Sequence, residues 1–261
     1  MEPIALLRVG VAAVLGLCVG SFLNVVVYRL PRRESISRPP SACPNCASPL
    51  KRRDLVPVIS WIVLRAKCRT CATPISGRYP FIELLTAITF GLIAARFEQL
   101  LPLAAYLVLA AGCVALSAID FDTKTLPTRL VHFTGAIGAV LFVVTSIVDR
   151  NSTQLLHAII SSAVVTTLFF ITWFVAPHGI GFGDVRFAGT LAMFLGWLGF
   201  GYVFVGITLA FIAGAVVGVT LMVLSSAGRK SAIPFGPFLA VGALSAILIG
   251  KPLIAWWLPT A

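Results

Sequence analysis

The fold class read from these 261 residues is an all-α polytopic membrane protein of about eight transmembrane helices, with a cytoplasmic zinc-knuckle loop after the first. Three observations predict it. Hydrophobic residues make up 59% of the chain and charged residues 11%, with a mean hydropathy of +1.00. A soluble domain carries about 25% charged residues, so this chain has too few to cover a water-facing surface. Apolar runs close to the ~20 residues that a bilayer requires recur along the sequence. Eleven of the 20 basic residues crowd into positions 29–78. Disordered, collagen-like, coiled-coil and ordinary soluble architectures fail on composition alone.

The first run, 4–28, is too long and too poor in early basic residues for a cleaved signal peptide, and no cleavage motif follows it. Region 1–30 is therefore expected to be a retained first helix. Region 31–79 is the sizeable polar stretch, rich in Pro and Arg, and a loop of that length needs something to organise it. Region 80–261 holds seven further runs: 80–95, 100–119, 130–148, 155–175, 187–200, 203–224 and 233–257. Runs 80–95 and 187–200 are short and flanked by charges or turns.

Charge tests the count. If 29–78 is cytoplasmic, eight spans also place 120–129, 178–186 and 227–231 inside. Sixteen basic residues then face the cytoplasm, and Arg8, Arg96, Arg150 and Lys251 lie outside. That asymmetry is the positive-inside pattern, with both termini outside. A basic segment beside membrane spans marks the cytoplasmic side and anionic lipid heads. No nucleic-acid partner is expected, because no aromatic-basic repeat or binding module accompanies the charge.

Cys43-Pro-Asn-Cys46 and Cys68-Arg-Thr-Cys71 are two Cys-x-x-Cys pairs with 21 residues between them. Each pair sets two thiolates on a tight knuckle, and two knuckles complete a tetrahedral sulfur site for structural Zn²⁺. Four protein ligands leave no open position for a reactive water. Disulfides are the weaker alternative in a reducing cytoplasm. Cys18 and Cys113 lie inside spans and are expected to be small packing residues.

Nine carboxylates exist, and four sit at or in the membrane: Glu83, Asp120, Asp122 and Asp184. An ionisable group there is expensive and usually functional. Asp120 ends a long apolar run, and Asp184 ends the glycine-rich turn Gly179-Ile-Gly-Phe-Gly-Asp184 before another. Alternation places both at the cytoplasmic boundary. Two carboxylates at one depth can share a proton, one acting as general base on a water and the other as general acid to the leaving amine. Gly181 and Gly183 let backbone approach a substrate. Asp122, if the helix continues, points away from Asp120. Glu83 opens a short span, as a first-turn dipole partner or a site contact. His132 and His157 fall inside apolar runs, and His178 beside the glycine turn is the one histidine with a candidate role.

These residues resemble the type IV prepilin peptidases, bacterial membrane aspartic proteases of the Gly-x-Gly-Asp class. The resemblance covers nearly the whole chain. Its motifs are Gly20-Ser-Phe-Leu-Asn24 through Pro31, the two cysteine pairs, Pro57-Val-Ile-Ser-Trp61, Gly77-Arg-Tyr-Pro-Phe-Ile-Glu83, Ile119-Asp-Phe-Asp122, Leu126-Pro127 and Gly181-Phe-Gly-Asp184. The resemblance implies eight helices in the bacterial inner membrane and an active site at the cytoplasmic face. It implies cleavage of the basic leaders of prepilins or pseudopilins after a glycine, with the two aspartates falling on Asp120 and Asp184. It also implies N-methylation of the new N-terminus with S-adenosylmethionine, an activity tied to the cytoplasmic cysteine region. Two positions depart from the family: Thr128 stands where an acid is common after Leu-Pro, and Arg186 where a lysine is common two after the second aspartate. Arg186 keeps the charge with a different geometry.

Two other classes compete. A transporter or channel would use Asp120, Asp122, Asp184 and Glu83 as an ion path, but these acids cluster at one face and no inverted repeat is visible. A scaffold whose zinc loop docks a partner would need no aspartate pair. Neither the natural substrate nor the oligomeric state is legible in the sequence.

Overall fold

The computed structural model describes residues 3–177, 180–224 and 234–257. Among these, the secondary structure is helical, with two isolated β-bridges in the cysteine loop. The helices are α1 (Pro3–Arg29), α2 (Ile59–Val63), α3 (Arg78–Arg96), α4 (Leu100–Thr123), α5 (Thr128–Val148), α6 (Thr153–Val175), α7 (Phe182–Leu198), α8 (Phe200–Leu224) and α9 (Gly236–Trp257). Seven of them are long and apolar enough to cross a membrane. The eighth long helix, α7, has 17 residues and begins well before the apolar run 187–200, because the glycine turn supplies its N-terminus. Gly199 at φ +128° separates it from α8. His178 and the charged segment 227–231 lie outside the described residues.

The chain divides into two compact units, Met1–Glu98 and Gln99–Ala261. In unit 1, α1 and α3 pair antiparallel: the Arg8 side chain donates to the Ala94 carbonyl, and Gly16 and Gly20 sit against the backbones of Ala87 and Glu83. A Cβ at either glycine would come within 2.7 Å of an α3 Cα, so only glycine permits this approach. Cys18, between the two, faces away from α3 and is exposed. It is therefore not an interior packing residue, contrary to the expectation, because two helical steps turn it from the glycine face. Cys113 is buried as expected.

In unit 2, consecutive helices pack as the hairpins α4–α5, α6–α7 and α8–α9, with α7 and α9 also reaching across to α4 and α5. Helices α4 and α7 run antiparallel, which fixes what meets at each end. At one end, Tyr106, Phe142, Phe194 and Trp197 form an aromatic cluster, and the fully buried Tyr106 hydroxyl donates to the Phe194 carbonyl at 2.7 Å. At the other end lie Asp120 and Asp184.

Candidate active site and metal centre

Helix α4 continues through Asp120 and ends at Thr123, where Lys124 takes the left-handed conformation and its N–H caps the Asp120 carbonyl. A carboxylate at a helix C-terminus meets an unfavourable dipole. Here it is turned toward the start of α9, whose Gly236 N–H donates to Asp120 Oδ2 at 3.0 Å. Asp184 sits in the first turn of α7, where the Gly181 N–H donates to Asp184 Oδ2 at 3.0 Å and the Asp184 N–H returns a bond to the Gly181 carbonyl. Each aspartate thus has one oxygen fastened by a glycine amide at a helix N-terminus. Both are nearly enclosed, 4% and 8% exposed, and their charges lie within electrostatic reach of each other.

Leu126 fills the space beside them. A Cβ on Gly183 would lie 3.0 Å from Leu126 Cβ, and one on Gly236 would lie 3.0 Å from Leu126 Cδ2 and 2.7 Å from Asp120 Oδ2. The leucine of the Leu-Pro turn therefore packs against both helix starts that hold the carboxylates. Arg186, one turn into α7, donates to the Thr128 hydroxyl at the start of α5 and stacks its guanidinium 4.3 Å from the Phe182 ring centre.

In unit 1, the thiol sulfurs of Cys43, Cys46, Cys68 and Cys71 lie within 4.8 Å of one another, a grouping that could hold a metal ion. The two knuckles are built alike. Cys43 N–H donates to the Ser48 carbonyl and Ala47 N–H to the Cys43 carbonyl; Cys68 N–H donates to the Thr73 carbonyl and Ala72 N–H to the Cys68 carbonyl. Ala47 and Ala72 both take positive φ, at 54° and 57°. Hydrogen bonds from Thr73 hold the Cys71 thiol down at about 6, and backbone N–H groups of Cys46 and Asn45 lower Cys43. Cys46 receives the Ser48 N–H, yet desolvation and the neighbouring sulfurs push it up to about 11. Thiols shifted as far apart as those of Cys46 and Cys71 do not ionise together without a cation beside them.

Residues 14–97 match the bacterial peptidase A24 N-terminal domain, and residues 107–219 match the type IV leader peptidase family. The prepilin leader peptidase/N-methyltransferase of Aeromonas hydrophila is 32% identical, over 93% of this chain and 91% of the relative. Those of Burkholderia pseudomallei (strain K96243) and Pseudomonas aeruginosa are 34% and 33% identical, over 94% and 95% of this chain and 87% and 92% of theirs. This chain belongs to the type IV leader peptidase family. It is a peptidase, and its relatives' name carries a second activity. No solved structure matches it.

In this leader peptidase, Asp120, Asp184, Gly181, Gly183 and Arg186 gather at one end of unit 2. Asp122 is exposed, on the far side of α4 from Asp120. Glu83 belongs to unit 1; it is 7% exposed and accepts the Val58 N–H at 2.8 Å. It lies past the first turn of α3 and serves as an anchor for the loop, rather than as a partner of the helix dipole. Thr128 and Arg186, the two departures from the family pattern, are hydrogen-bonded to each other. Sequence reasoning missed Gly236 and Leu126 as site neighbours, and read Cys-x-x-Cys without the longer repeat Cys-x-x-Cys-Ala-(Ser/Thr)-Pro, which was there to find.

Proposed function

We propose that this leader peptidase is a membrane aspartic endopeptidase that uses Asp120 and Asp184 to cut the basic leaders of type IV prepilins or pseudopilins after a glycine, at the cytoplasmic face of the bacterial inner membrane. The supporting observation is the pair of buried carboxylates, each held by a glycine amide and within electrostatic reach of the other. Two such groups hold one proton between them more readily than none. The ionised carboxylate takes a proton from a water, whose oxygen attacks the scissile carbonyl carbon while the protonated carboxyl gives its proton to the carbonyl oxygen. When the tetrahedral species collapses, the C–N bond breaks, the C=O re-forms and the leaving nitrogen takes a proton from the pair. The glycine amides keep the carboxylates aimed throughout.

The metal is read as zinc. Four Zn–S bonds of ~2.3 Å at tetrahedral angles put the sulfurs roughly 3.8 Å apart, and Cys43 Sγ and Cys71 Sγ are 3.8 Å apart. Cys43, Cys46, Cys68 and Cys71 would hold the ion as four thiolates, which would tie the knuckles together and leave no position for a substrate. Bound S-adenosylmethionine would supply an electrophilic methyl group for the new N-terminal amine, the activity named in the relatives. Co-expression with a prepilin tests the peptidase: the substrate should shorten on a gel, and Asp184→Ala should leave it full length at equal protein level. Cleavage by Asp184→Ala would refute the aspartic mechanism.

A further inference from the structure

Helix α2 carries an apolar face that the cysteine loop around it leaves open. Ile59, Ile62 and Val63 follow the i, i+3, i+4 spacing that sets side chains on one side of a helix, and they are 61%, 61% and 69% exposed. Ser60, Trp61 and Leu64 turn the other way, lining a hollow between the loop and the adjoining ends of α1 and α3. There the Trp61 indole N–H donates to the Ile75 carbonyl at 3.1 Å, which fixes the outward face by fastening the inward one. Residues 51–69 hold six basic side chains and one acid, and that acid, Asp54, is paired with Arg69 at 2.5 Å. Arg52, Arg53, Arg65 and Lys67, which flank the apolar face along the chain, are exposed.

Helix α3 fixes the depth of this face. Glu83 lies past Arg78 in a helix long and apolar enough to cross a membrane, and so about 7.5 Å from its start at 1.5 Å per residue. Its carboxylate accepts the N–H of Val58, the residue before α2, at 2.8 Å. The short helix therefore begins level with the opening turns of a span, where hydrocarbon gives way to lipid headgroups.

We propose that α2 is an interfacial anchor: Ile59, Ile62 and Val63 enter the cytoplasmic leaflet, and Arg52, Arg53, Arg65 and Lys67 bind anionic lipid headgroups. The inference rests on the cytoplasmic placement proposed above and adds the surface by which the cysteine loop is held to the membrane. An apolar face with basic flanks is the combination that binds a negatively charged bilayer surface. The competing occupant is a prepilin. Charge argues against it, because a basic leader would be repelled by the same cations.

The test uses the full zinc-replete chain carrying Ile62→benzoylphenylalanine, a photoreactive replacement at an exposed position, in nanodiscs of tritiated lipid. One set contains equal parts of phosphatidylglycerol and phosphatidylcholine, the other phosphatidylcholine alone. On illumination of the mixed discs, position 62 should take up far more lipid label than the same replacement at Ser37, which is exposed in the same loop. Label at 62 should fall at least about fivefold without phosphatidylglycerol, since each basic residue near an anionic surface favours it by about that factor. The joint variant Arg52→Gln, Arg53→Gln, Arg65→Gln and Lys67→Gln should lose this dependence at unchanged zinc content. Equal label at 62 and 37, label at 62 indifferent to phosphatidylglycerol, or a joint variant that keeps the dependence would overturn the anchor. Adducts with a co-embedded prepilin, or with residues 99–261, in place of lipid would hand the face to another occupant and also overturn it. If the joint variant loses zinc, the comparison of the two lipid mixtures decides. Nanodiscs have no inside or outside, so the label tests the anchor alone, while thiol labelling of Thr123→Cys in intact cells tests the cytoplasmic placement.

Discussion

Two residues apart on α4, Asp120 and Asp122 project about 200° from each other; Asp120 is buried and accepts the Gly236 N–H of α9, whereas Asp122 is exposed. Asp120→Asn and Asp184→Asn should each reduce cleavage by about 10³-fold or more, and the double variant should be no worse than either, as for groups acting as one unit. Asp122→Asn should keep most activity; a dead Asp122→Asn beside a working Asp120→Asn would reverse the assignment. Gly236→Ala extends the test to a residue outside the pair. Its added methyl would press on Asp120 Oδ2 at 2.7 Å and on Leu126, and a catalytic group misplaced by about 1 Å can cost about 10²-fold in rate. Cleavage assays against pH would show the specific effect, a changed profile as well as a lower maximum, with thermal melting as the control for folding. The aspartates were legible as candidates because acids are scarce in this chain, Asp120 closing an apolar run and Asp184 preceding one. Gly236 was not, since its contribution is a backbone amide 116 residues away from its partner.

At the scale of elements, close helix packing and the cysteine loop answer to different forces. Gly16 and Gly20 set the α1–α3 distance, so Gly16→Leu should destabilise by about 1–3 kcal/mol through overpacking. Gly10→Leu is the control, because nothing lies within 4 Å of a Cβ there. Differential scanning fluorimetry of the two variants should separate them, and equal melting would remove the glycines' claim on that interface. In the loop, hydrogen bonding and then charge from Arg69 hold the Asp54 carboxyl below its ordinary 3.8. A carboxylate with a lowered folded pKa contributes stability that is present above the unfolded value and is lost as pH falls through the folded one. The difference in hydrogen-exchange protection of residues 52–71 between the native chain and Asp54→Asn should therefore persist from about pH 7 to 5 and close below about pH 4. A difference largest at pH 3 would contradict the pair. The long helices were legible from hydropathy, and the knuckles from cysteine spacing. The short α2 was not, because five residues carry too little periodicity to stand out in a polar stretch.

For the whole molecule, the side on which each connection lies depends on α7. Its 17 residues span about 25 Å at 1.5 Å per residue, less than the ~30 Å of hydrocarbon in an average bilayer. A short helix can still cross where the bilayer thins or neighbouring helices shield its ends, and α7 is among the most enclosed of the long helices, packed against α5, α6 and α9. The basic-residue asymmetry is strongest with the crossing: without it Arg229 and Lys230 move outside and Lys251 moves inside. Single cysteines replacing Asp149, Thr123 and Phe200 would decide, using an impermeant thiol reagent on intact cells of a chain whose native cysteines are accounted for by a parallel unsubstituted control. All three positions are exposed at helix ends or turns. If α7 crosses, Asp149→Cys and Phe200→Cys react from outside, while Thr123→Cys reacts only after lysis. If α7 only dips into the membrane, Phe200→Cys joins Thr123→Cys among the protected positions. Reaction of Thr123→Cys from outside would invert the whole arrangement and move the aspartates to the wrong face for a substrate made in the cytoplasm.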